Sequence, residues 1–174
     1  DEIGGYPIIY AHKTNVARFE SFEEFKANPG DCNILNIPVS CHYIDMVETD
    51  GSQEGYFELI LLQILGEQFY LNGDAIYNHL EIIASQEGLE KVIIMNANEE
   101  YGNKLTEEQI NAARAIDFTP VVSISNGSAT VRFVYFTYWG GFYDVTAKIL
   151  LTSPYDFEII EENNVVPFDC GVYF

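Results

Sequence analysis

Two β-rich runs, Pro120–Ser125 and Ser128–Trp139, flank the dipeptide Asn126-Gly127. Asn-Gly between such runs is a strong local signal for a tight two-residue hairpin, because both central residues of a type I′ turn need positive φ. The second run leads into a dense block of rings. Phe133, Tyr135, Phe136, Tyr138, Trp139, Phe142 and Tyr143 place seven aromatics in eleven residues. Successive strand side chains point to opposite faces, so Phe133, Tyr135 and Trp139 share one face and Phe136 and Tyr138 the other. A sheet wet on one side would show polar residues on alternate positions. Here either helices cover both faces, or one aromatic row is exposed.

Gly140-Gly141 marks a second reversal, and Phe142–Thr152 reads as the next strand, ended by Pro154. Phe157–Glu161 and Val165–Tyr173 read as a last hairpin around Asn163-Asn164. Thr106 with Gln109 forms a capping box, and Glu107 and Glu108 favour the helix dipole, which predicts a helix to about Ile116. Asp74 reads as the N-cap of a helix through about Gln86, with Ile76, Tyr77, Leu80 and Ile83 on one stripe and Gly88 as its stop. Lys91–Met95 reads as a short buried strand. Residues 56–71 fit a helix or a hairpin turning at Gly66-Glu67; the glycine favours the hairpin. Earlier still, Ser21 opens a short helix that breaks at Asn28-Pro29-Gly30, and Ile34–Val47 reads as strand. The expected class is α+β: two or three short helices packed on a mostly antiparallel sheet, closing in a C-terminal β-meander. Residues 1–174 are expected to form a single domain, with 1–50 as a separable subregion.

The 27 Asp and Glu far outnumber the 8 Lys and Arg, giving a formal net charge of −19. No Lys or Arg occurs from Ala27 to Glu90 or after Lys148. Such a field repels phosphate backbones and anionic lipid, so nucleic acid is not an expected partner. Neutral glycans and proteins are. No apolar run approaches the ~20 residues of a membrane-spanning helix. A start at Asp1, few lysines and many Tyr and Asn favour an exported or cell-surface protein.

Chemistry-bearing motifs are sparse. The three cysteines are Cys32, Cys41 and Cys170, an odd number with no CxxC spacing. A Cys32–Cys41 or Cys41–Cys170 bridge and three buried thiols all fit. His12, His42 and His79 lie far apart, and neither GxSxG, GxGxxG nor a P-loop occurs. The loop Asn96–Gly102 is oxygen-rich but has Tyr101 where an EF-hand needs glycine. Neither metal nor cofactor is expected. Two functional readings follow. The first is a non-enzymatic binding domain whose contact rings are Phe136, Tyr138, Trp139 and Tyr143, large rigid surfaces suited to stacking on a sugar or anchoring a protein. The alternative is a hydrolase acting through a carboxylate pair drawn from Glu99, Glu100 and Asp144.

Overall fold

The computed structural model describes Ile44 and residues 47–68, 79–153 and 155–172. The expected elements before residue 44, the Cys32 and Cys41 positions and residues 69–78 lie outside these. Within them the order is helix α1 (Gln53–Gln68), strand β1 (Glu81–Ile83), helices α2 (Gln86–Asn98) and α3 (Glu107–Arg114), then β2 (Val121–Ser125), β3 (Ser128–Thr137), β4 (Gly141–Leu150) and β5 (Phe157–Pro167). All pairings are antiparallel. Strands β2 to β5 form the expected meander, and β1 and β2 lie end to end along the same side of β3. The class is α+β, as expected.

Helices pack on both faces of the central strand β3, which resolves the puzzle of a strand apolar on each side. Val131, Phe133 and Tyr135 of β3 pack with Tyr56, Leu59, Ile60 and Ile64 of α1. Val134 and Phe136 pack with Leu89, Val92 and Ile93 of α2, Ala113 of α3, and Phe142, Val166 and Phe168. Each fully buried aliphatic or aromatic side chain contributes about 1.5–3 kcal/mol, so the central strand is anchored from two directions. The turn is as read: Asn126 and Gly127 both have positive φ, 50° and 80°. The capping box is also present, with the Gln109 N–H donating to Thr106 Oγ1 at 3.2 Å and the Thr106 N–H to Gln109 Oε1 at 2.9 Å.

Four expectations are corrected. Residues 56–68 belong to helix α1, not to a hairpin. Gly66 sits in its last turn, where its cost of about 1 kcal/mol is small beside the burial of Tyr56, Leu59, Ile60 and Ile64. Ser52 starts the helix by accepting the Gly55 N–H at 2.9 Å. Second, the expected helix ending at Gln86 is strand at Glu81–Ile83, and a helix begins rather than ends near Gln86. Ser85 is its N-cap and accepts the Gly88 N–H, so Gly88 lies in the first turn of a helix and does not terminate one. Third, Lys91–Met95 is therefore helical: Val92 and Ile93 join Leu89 on the buried face of α2, while Ile94 is exposed. Fourth, Asn163-Asn164 is no turn. β5 runs straight through it, Asn163 opposite Asp144 and Asn164 opposite Tyr143. No helix among the described residues is long and apolar enough to cross a membrane.

Candidate functional site

Three chain segments meet where β3 turns into β4. The turn, Tyr138–Gly141, is joined to the tail Phe168–Val172 by backbone bonds: the Cys170 N–H donates to Tyr138 O at 2.9 Å and the Phe168 N–H to Gly140 O at 3.1 Å. The tail is joined in turn to the α2–α3 loop, where the Asn103 N–H donates to Cys170 O at 2.6 Å and its Nδ2 to Asp169 O at 3.0 Å. Tyr138 closes the triangle by donating its hydroxyl to Glu99 Oε1 at 3.1 Å. The loop itself is braced from beneath. Asn96, 1% exposed, accepts the Leu105 N–H at 2.8 Å, and Lys104 Nζ donates to Glu99 O.

Two rings stand out from this corner. Trp139 is 40% exposed, although its Nε1–H donates to Val172 O at 3.2 Å and its backbone N–H to Thr137 Oγ1 at 3.2 Å. Tyr101, in the loop, is 73% exposed. Glu100 and Asp169 are exposed beside them. The Asp169 carboxylate accepts the Gly171 N–H at 2.8 Å, fixing the tail's last bend.

The four sequence-derived rings separate. Phe136 is buried, packed on Phe142 at 4.8 Å and Phe168 at 5.9 Å between ring centroids, and offers no surface to a ligand. It props Tyr138 edge-on at 5.4 Å. Tyr143 belongs to the opposite, α1-facing core, where it stacks on Tyr135 at 5.1 Å. Tyr138 and Trp139 lie in the turn itself, and Tyr143 reaches it from the α1 side, where its hydroxyl end lies against Gly140. Of the carboxylates, Glu99 and Glu100 are in the corner, whereas Asp144 is held by Arg132, whose Nη2 and Nε donate to it at 2.7 and 2.9 Å. Asp144 in turn holds the Arg132 guanidinium above its ordinary pKa. Among the described residues, no three His, Cys, Asp or Glu side chains gather closely enough to hold a metal ion. Cys170 is buried with a free thiol.

No protein-family model, curated protein or solved structure matches the chain. The corner is therefore read from its own chemistry. Tyr101, Asn103 and Asp169 were not among the sequence candidates. Tyr101 was legible only as the residue that spoils a calcium loop.

One polar contact outside the corner bears on stability. The Tyr135 hydroxyl, in the α1-facing core, donates to Glu162 Oε1 at 2.6 Å. Burial, then the neighbouring Glu162 carboxylate, pushes this hydroxyl far above the usual tyrosine range.

Proposed function

We propose that the protein is a non-catalytic binding domain, exported or displayed at a cell surface, that takes a neutral glycan at the Trp139 corner. The observation that carries this reading is the state of Trp139: 40% exposed, yet pinned through its indole N–H to Val172 O. A ring already held in place loses little entropy when a ligand stacks on it. Trp and Tyr present flat, amphipathic faces suited to the apolar face of a sugar ring. Tyr101 supplies a second such face, and Glu100 and Asp169 supply acceptors for sugar hydroxyls. The same carboxylates disfavour anionic sugars. A hydrolase built on Glu99, Glu100 and Asp144 draws less support, since Asp144 is engaged by Arg132 and Glu99 by Tyr138.

The test is an array of neutral and anionic glycans probed with the native chain and with Trp139→Ala and Tyr101→Ala. Neutral glycans should bind, and each variant should lose at least about tenfold in affinity, the scale of a single anchoring ring. Binding that ignores both substitutions would defeat the proposal. Capture of a protein at these residues with no glycan bound would put a protein ligand in its place.

A further inference from the structure

Strand β5 closes one edge of the five-stranded sheet, paired with β4, and among the described residues no strand lies on its other side. Its exposure contrasts with the helix-covered strand β3. Every residue from 158 to 165 is exposed, including Ile159 at 46%, Ile160 at 50% and Val165 at 42%. The pairing register explains two of these. Thr146 faces Glu161 and Ala147 faces Ile159, so Ile160 is an extra residue bulged out of the ladder. Phe142 faces Val166 and Tyr143 faces Asn164, so Val165 is another. Bulges and charged side chains each commonly blunt an edge strand. Here the bulges thrust aliphatic side chains into water.

Acids flank Ile159 and Ile160. Glu158, Glu161 and Glu162 lie along the strand, and no Lys or Arg follows Lys148 in the chain. A second copy pairing along this edge would set carboxylates against carboxylates, which is destabilising for directly opposed like charges. An incoming strand carrying Lys or Arg would gain from the same positions.

We propose that the β5 edge accepts an extended basic segment of a partner protein, which adds to the sheet beside Phe157–Pro167. Backbone hydrogen bonds supply the common part of the affinity in such strand addition, and side chains supply selectivity. Ile159, Ile160 and Val165 are the apolar anchors, and Glu158 and Glu161 face the basic side chains. This surface is separate from the Trp139 corner and does not depend on it.

The probe is a fluorescein-labelled nine-residue peptide of alternating Val and Lys, titrated by anisotropy against the full chain. Controls are the Val–Glu peptide and a peptide of equal charge with prolines at alternate positions. The Val–Lys peptide should bind, and the proline peptide should bind at least about tenfold more weakly because it cannot extend a ladder. Ile160→Asn, which removes the apolar anchor without changing the charge, and the pair Glu158→Lys, Glu161→Lys should each weaken it about tenfold or more, and Trp139→Ala should leave it unchanged. The proposal is overturned if the proline or Val–Glu peptide binds equally well, if both edge variants bind like the native chain, or if the Val–Lys peptide does not bind. It is also overturned if sedimentation shows a dimer that Ile160→Asn dissolves.

Discussion

Gly127 and Gly141 are both turn glycines with positive φ, 80° and 93°, yet their surroundings differ. A Cβ built on Gly127 meets nothing within 4 Å. One built on Gly141 falls on the Val166 carbonyl oxygen and within 2.7 Å of the Phe168 nitrogen. For Gly127→Ala the cost is backbone strain alone, about 1–2 kcal/mol. Gly141→Ala carries the same strain and also forces the end of β5 away from the turn. That shift breaks the Phe168 N–H bond to Gly140 O, worth about 1 kcal/mol net. It also loosens Val166 and Phe168, 4% and 6% exposed, in the α2-facing core. Losing part of two buried side chains adds about 1–2 kcal/mol, so the total is about 3–5 kcal/mol. For a chain of this size each kcal/mol lowers Tm by about 2–4 °C. Thermal melts followed by circular dichroism should show Gly127→Ala a few degrees below the native chain and Gly141→Ala about 10 °C or more below. Trp139 emission should change only in the second. Equal losses in the two variants would refute the argument that the tail, packed against the turn, holds the corner in shape.

Further outcomes follow from the polar contacts. Tyr135 has its folded-state pKa raised, so it stays protonated in the fold while the unfolded chain ionises above about pH 10. The unfolded state then holds fewer protons, and stability falls as pH rises past that point. Urea melts between pH 8 and 11 should show this decline, and Tyr135→Phe should flatten it; an unchanged slope in the variant would exclude Tyr135 as the cause. Thr106→Ala removes the α3 cap and should cost about 1 kcal/mol, read as a lower urea midpoint at unchanged slope. Asn96→Ala strands the buried Leu105 N–H beneath the corner and should cost about 1–3 kcal/mol; a neutral outcome would mean that water replaces the lost acceptor.

What the sequence discloses divides along the range of the interactions involved. Asn126-Gly127 and the Thr106–Gln109 box are settled within four residues, so they could be read directly. Helix α1 could not, because it is apolar on several sides: Phe57 and Leu62 pack at the margin of the core that Tyr56 and Leu59 enter, and no clean stripe survives. Glycines misled twice, at Gly66 and Gly88, where tertiary burial and a serine cap outweigh a local cost of about 1 kcal/mol. Asn163-Asn164 resembled a turn, but Asn164 Nδ2 donates to Gly140 O at 2.8 Å, using the turn-forming side chain to fasten β5 to the corner. The density of rings was visible, but not its partition. Strand alternation separated Phe136 from Trp139 without revealing that helices pack on both faces of β3. The pairing of Tyr138 with Glu99 joins residues far apart in the chain, and no local pattern encodes it.

Trp139 is the sole tryptophan, so its emission reports the corner directly. Titrating the native chain with a panel of neutral oligosaccharides should give, for at least one, a saturable blue shift and protection from acrylamide quenching. An emission that stays quenchable and unshifted across the whole panel would contradict the glycan-binding corner.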